Sequence, residues 1–198
     1  SVELNIKDIN RDAIAASKIT YLEGYLFDPP DAKCAFVKAA ELAHSSRRKV
    51  ALSLSDAFCV ARHREDFKNF ISQNVDFLFA NEAEIISLFE VKEFEQAVCL
   101  VKDHCEIAAL TRGDRGSVIV DFAGATKIPA KKVVEVVDTT GAGDLYAAGF
   151  LFGLSRGFEV QKCADVGSLC AADVISHIGA RPKNSLKKLF SESKIENF

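Results

Sequence analysis

The sequence predicts an α/β fold of three layers, a mostly parallel sheet covered on both faces by helices. Two observations carry this. Short β-rich runs alternate with helical stretches along most of the chain, an order that favours parallel strands joined by right-handed crossovers. Polar or glycine-bearing residues then follow several of those runs, at the carboxyl ends where open α/β sheets hold their ligands.

Element by element, Lys18 to Gly24 reads as a strand. Asp31 to Arg47 reads as an amphipathic helix with a proline entry at Pro29-Pro30 and apolar Phe36, Val37, Ala40 and Leu42. Lys49 to Leu54 is a second strand. Glu65 to Ser72 is helical, with Phe67, Phe70 and Ile71 on one face. Val75 to Ala80 is a third strand, followed by helices at Glu82–Phe89 and Glu93–Asp103. Glu106 to Thr111 is a fourth strand. Ser117 to Phe122 follows it after a short glycine-bearing loop, which suggests an antiparallel hairpin near the sheet edge. Helices at Ala142–Ser155, Glu159–His177 and Ser185–Ser191 complete the chain. No repeat, linker or low-complexity segment interrupts it, so residues 1–198 read as one domain.

Composition narrows the class. Hydrophobic residues make up 48% and charged residues 27% of 198, ordinary for a globular domain able to bury a core. The net charge of −3 offers no general basic field for nucleic acid or an anionic membrane. No apolar run reaches the ~18–20 residues that span a bilayer, and residues 1–10 are not a signal peptide. The six cysteines, at 34, 59, 99, 105, 163 and 170, include no Cys-x-x-Cys pair and read as core thiols in a reducing cytosol. The chain lacks methionine, so Ser1 is not expected to be a native start.

The most informative run is Asp138-Thr139-Thr140-Gly141-Ala142-Gly143-Asp144, followed at once by an apolar helical pattern. A glycine turn opening a helix presents unpaired N–H groups at the positive end of the helix dipole, a place to hold a phosphate oxygen. A carboxylate beside it can take a proton from a hydroxyl. A P-loop is excluded because no Lys follows the glycines, and a Rossmann fingerprint because Tyr146 stands where its third glycine belongs. Read alone, the run is equally a helix cap with Asp144 favouring the dipole.

The full seven-residue string resembles the C-terminal signature of the ribokinase, or PfkB, family of carbohydrate and nucleoside kinases. From about Tyr21 to Pro182 the chain looks most like the adenosine-kinase-type branch. The resemblance implies a ribokinase-like α/β/α fold with the N-terminal part and lid absent, so the chain is expected to be the later part of a longer protein. It implies that Gly141, Ala142 and Gly143 form an anion hole and that Asp144 is the catalytic base. Asn81 and Glu84 are similar to the family's magnesium motif, acting largely through metal-bound water; they also fit a capping box. Thr111, Gly113 and Gly116 resemble the nucleotide loop, which a hairpin turn would equally explain. Ser168 occupies about the position where members place a polar residue against adenine, although others carry Asn or His there. Asp138 and Thr140 resemble the start of a monovalent-cation site, with an Asx turn as the plain alternative.

The implied activity is transfer of the γ-phosphoryl group of ATP to adenosine or a related sugar, with Mg²⁺ and K⁺ as cofactors. Ribose, fructose or a keto-deoxy sugar acid remain alternative acceptors, and a nucleotide-binding fragment without transfer remains an alternative function. A homodimer formed through the lid is expected of the longer protein. His177 reads as structural, and Arg62-His63-Arg64 as a solvated helix start.

Overall fold

The computed structural model describes residues 3–193. Its helices are α1 (Arg11–Ala16), α2 (Pro30–Ser45), α3 (Ala57–Arg62), α4 (Arg64–Asn74), α5 (Glu82–Phe89), α6 (Phe94–Val101), α7 (Ala142–Ser155), α8 (Val160–Val174) and α9 (Leu186–Glu192). Its strands are β1 (Ile19–Glu23), β2 (Lys49–Ser53), β3 (Phe77–Asn81), β4 (Ile107–Thr111), β5 (Ser117–Asp121) and β6 (Gly124–Ile128). They form one sheet in sequence order, and the fold is the expected three-layer α/β fold. β1 with β2 and β2 with β3 are parallel, which aligns Leu22, Leu52 and Leu78 in one buried row. The connections β4–β5 and β5–β6 are too short for a crossover, so these neighbours run antiparallel.

Although the sequence shows no linker, packing gathers the chain into two compact units, Ser1–Leu110 with Val120–Ala125, and Thr111–Ile119 with Thr126–Phe198. In the first unit, the buried face of α2 is Ala32, Ala35, Phe36, Ala39, Ala40 and Ala43, a stripe at helical spacing. Val37, expected among the apolar contacts, is 40% exposed instead. Its place one residue past Phe36 turns it off that stripe. Phe27 stacks on Phe67 with ring centroids 3.9 Å apart and meets Phe36 and Phe70 edge-on.

Within the second unit, α7 and α8 approach closely because small residues face each other. A Cβ at Gly149 would stand 2.8 Å from the Cys170 sulfur, and one at Gly153 2.8 Å from that of Cys163. Cys163, Cys170 and Cys59 are therefore core thiols as expected, whereas Cys34 and Cys99 are exposed; all six are free.

Three elements lacked a sequence signal strong enough to be expected. α1 is short and held by Asn10, whose side chain accepts from the Ala13 N–H. α3 is capped by Asp56, which accepts from the Cys59 N–H at 2.8 Å. β6 is a largely exposed edge strand, reached through a turn in which Asp121 accepts from the Ala123 and Gly124 N–H groups. The expected helix over Glu159–His177 ends at Val174, and Ser176 turns back to bond the Asp173 carbonyl.

Candidate active site

In the second unit, Gly141 is the N-cap of α7, with φ 79° and ψ 4° in the left-handed region. A Cβ there would meet the Ala180 Cβ at 2.7 Å, so both conformation and space require glycine. The Ala142 N–H bonds the Thr139 carbonyl and the Leu145 N–H bonds the Gly141 carbonyl. No side chain caps this end. Helix geometry thus leaves the Gly143 and Asp144 N–H groups without i−4 partners, directed along the axis at the positive pole. Gly143 is exposed, and a Cβ on it would meet nothing within 4 Å. The exposed Asp144 side chain lies in that first turn.

The loop leading into the turn is fixed by Asp138. One carboxylate oxygen accepts from the Thr140 N–H at 2.9 Å and the other from the Gly179 N–H at 3.0 Å. The Thr140 side chain and these N–H groups hold the Asp138 carboxyl down to about 2. Asp138 is therefore committed to shaping the loop. Nearby, His177 is 9% exposed; its Nδ1 lies 3.3 Å from the Ile178 carbonyl oxygen, and its Nε2 is buried without a hydrogen-bond partner.

Thr111 ends β4, and the turn beyond it closes through bonds from Arg112 N–H to Gly116 C=O and from Gly116 N–H to Gly113 C=O. Gly116, at φ 81°, is packed so tightly that a Cβ would lie 2.1 Å from the Ile128 carbonyl oxygen; Gly113 is open to solvent. The two glycines differ accordingly: both take positive φ in the turn, but only Gly116 is also held by close packing. Ser168 is 7% exposed, within the buried face of α8.

A contact missed from sequence links two of these segments. The Tyr146 hydroxyl, two residues past Asp144, donates to the Ser117 hydroxyl at 2.8 Å, next to Gly116. Both residues are buried, and desolvation pushes the Tyr146 phenol above its ordinary range.

In the first unit, Asn81 ends β3 and caps α5. The Glu84 N–H donates to the Asn81 side chain at 2.9 Å; Asn81 donates its own N–H at 2.8 Å and its side-chain amide at 2.7 Å to the two Glu84 oxygens. The capping box is thus fully formed. Glu84 is nevertheless only 6% exposed. Burial pushes its carboxyl up, Asp56 and Glu23 add to this with their negative charge, and the Asn81 N–H opposes it. Asp56 lies just past the end of β2 and Glu23 ends β1, so both share with Asn81 a place at the carboxyl end of a strand, where open α/β sheets hold ligands. All four residues offer oxygen, the chemistry Mg²⁺ takes, but their carboxylates do not converge closely enough to ligate one ion directly, so an ion here would be held through its own waters.

The fold is that of the ribokinase-like class. The chain belongs to the pfkB family of carbohydrate kinases, whose family model matches residues 2–187. It is similar to the crystal structure of adenosine kinase from Sinorhizobium meliloti, with 45% identity, a TM-score of 0.94, and coverage of 97% of this chain and 59% of that one. It is 28% identical over 188 residues to adenosine kinase of Saccharomyces cerevisiae, covering 87% of this chain and 53% of the yeast protein. Nucleoside kinase of Methanocaldococcus jannaschii is 35% identical over 114 residues, which are 56% of this chain and 36% of the archaeal protein. The chain thus spans from about a third to three fifths of the length of these relatives. Among the described residues no helix is long and apolar enough to cross a membrane.

Proposed function

We propose that this chain carries the catalytic turn of an ATP-dependent kinase that phosphorylates a primary hydroxyl of adenosine or a related sugar. The observation that carries the reading is the first turn of α7: an uncapped helix start, an open Gly143 and an exposed carboxylate one residue on.

In the proposed reaction the Asp144 carboxylate accepts the acceptor hydroxyl proton while that oxygen bonds to the γ-phosphorus and the bridge to ADP breaks. The Ala142 N–H of the expected anion hole is taken up by the Thr139 carbonyl, so the Gly143 and Asp144 N–H groups are the ones that stabilise charge on the transferring group without having to reorganise. Thr111, Gly113 and Gly116 hold the nucleotide phosphates, and Ser168 belongs to the helix proposed to wall the base. Asn81 and Glu84, with Asp56 and Glu23, would hold Mg²⁺ through water; when bound, the ion neutralises phosphate charge. A role for K⁺ near Asp138 and Thr140 rests on resemblance, since the Asp138 carboxylate is already engaged. The similarity to adenosine kinases supports adenosine as the first acceptor to try, and the similarity to a probable sugar kinase keeps a sugar panel beside it.

The test is ADP release from Mg-ATP by the full-length protein with adenosine, then a sugar panel, beside Asp144→Asn. Loss of a positioned base removes about 10²–10⁴-fold of rate. Adenosine-dependent release falling by that factor, with ATP binding retained, is the expected result. Release with a sugar alone changes the acceptor and keeps the mechanism. Undiminished turnover in Asp144→Asn removes the assignment of the base, and ATP binding without release with any acceptor would indicate a binding module.

A further inference from the structure

Away from this site, the first unit brings three dissimilar ligand types together. Asp28 follows the short 3-10 turn Gly24–Phe27 and precedes α2; Cys59 lies in α3; His63 is the joint between α3 and α4. His63 Nε2 is 2.9 Å from Asp28 Oδ1, Cys59 Sγ is 3.9 Å from the same oxygen, and the three ligand atoms all lie within 4.8 Å of one another. Cys59 Sγ is also 3.5 Å from the Gly24 carbonyl oxygen. The thiol is buried, whereas the side chains of Asp28 and His63 keep 47% and 23% of their exposure. The cluster is therefore closed at the sulfur and open to water at the other two ligands, which gives an ion a way in.

We propose that Asp28, Cys59 and His63 form a zinc site, with one coordination position left for water or the Gly24 carbonyl. Bond lengths of about 2.3 Å to sulfur and about 2.0–2.2 Å to nitrogen and oxygen put tetrahedral ligands roughly 3.2–3.7 Å apart. The observed separations lie on both sides of that range, so small side-chain rotations bring the three onto one ion. A mixed sulfur, nitrogen and oxygen set selects zinc over magnesium or calcium, which take oxygen.

Arg62 is the obvious competitor. Its Nη2 is 2.8 Å from Asp28 Oδ2, and it reaches Oδ1 through Nε at 3.2 Å and Nη2 at 3.1 Å. Keeping Oδ2 on Arg62 while Oδ1 turns to the metal preserves the shorter contact. It also makes the guanidinium the outer partner that orients a ligating carboxylate. Binding releases the thiol proton to solvent, leaving thiolate and carboxylate to balance the dication. The ion would tie the turn before α2 to the α3–α4 joint, segments some thirty residues apart in sequence.

The test is metal titration of the chelator-treated full chain, with zinc against a chromophoric competitor and with cobalt as a spectroscopic probe. Expected are one zinc per chain, a thiolate-to-cobalt charge-transfer band with tetrahedral d–d bands, and retention of both in a Cys34→Ser/Cys99→Ser double variant. His63→Gln and Asp28→Asn should each weaken zinc binding at least tenfold, and Cys59→Ser should abolish the charge-transfer band, with circular dichroism confirming that each variant is folded. Unchanged binding in folded His63→Gln and Asp28→Asn would overturn the proposal. So would loss of binding in the Cys34/Cys99 variant, or no stoichiometric zinc at micromolar concentration in the parent.

Discussion

Tyr146 and Ser117 are 4% and 1% exposed, and their hydroxyls share a 2.8 Å hydrogen bond. Tyr146→Phe keeps the ring against Gly167 but strands the Ser117 hydroxyl; Ser117→Ala strands the phenol. A net buried hydrogen bond contributes about 0.5–1.5 kcal/mol, and a buried polar group left unpaired costs about 1–3 kcal/mol. Each single substitution should therefore destabilise by about 2 kcal/mol, whereas the double variant leaves no orphan and should lose no more than a single one. The expected coupling is about 2–3 kcal/mol. Urea denaturation reads it: with a slope of about 2 kcal/mol per molar, each single variant shifts the midpoint down by about 1 M and the double variant by a similar amount or less. Additive losses, within about 0.5 kcal/mol, would refute the buried pair. The pair has functional weight under the proposed mechanism, because it ties the first turn of α7 to the β5 end of the Thr111–Gly116 loop.

Two further outcomes test the turn itself. Asp138 has its carboxyl held at about 2 against an ordinary 3.8, so its contribution to stability is fully present above about pH 4 and is lost as pH falls through about 2. Asp138→Asn should accordingly melt below the parent at neutral pH, and the gap in thermal midpoint should close between about pH 4 and pH 2; a constant gap would contradict the assignment. Gly141→Ala and Gly143→Ala should separate folding from chemistry. The first must fit a Cβ 2.7 Å from that of Ala180 at positive φ and should lower the melting temperature. The second adds a methyl to open space in a helix, which stabilises by roughly 0.5–1 kcal/mol, yet should lower phosphoryl transfer where the ligand comes closest.

Legibility followed the strength of the local physics. The bounds of α5 and α7 matched the sequence reading because each begins at a recognisable cap, Asn81 with its Glu84 partner and Gly141. The buried strands were visible as apolar runs. β6 was not, because an edge strand with three exposed central residues carries no such run. α3 hid behind a single capping aspartate, and its Phe58, 77% exposed, weakened the helical pattern. Arg62 and His63, read as a solvated helix start, are instead drawn onto Asp28, more than thirty positions earlier, which no local pattern encodes. The Tyr146–Ser117 pair was equally hidden, since a hydroxyl reveals its partner only when the fold brings the two together.

Asn81 and Glu84 show why sequence alone leaves a site ambiguous. A capping box and an Asn-x-x-Glu metal motif demand the same residues at the same spacing, and the formed box satisfies the first completely. Capping alone, however, does not explain where Glu84 sits. An exposed glutamate would cap α5 equally well and keep its hydration, whereas this one is 6% exposed and feels the negative charge of Asp56 and Glu23. Burying a carboxylate near two others works against its own ionisation, and a cation relieves that cost directly. The cap accounts for the residue types; the burial beside like charge is the additional feature that the proposed Mg²⁺ role would explain, and it becomes legible only once β1, β2 and β3 lie side by side.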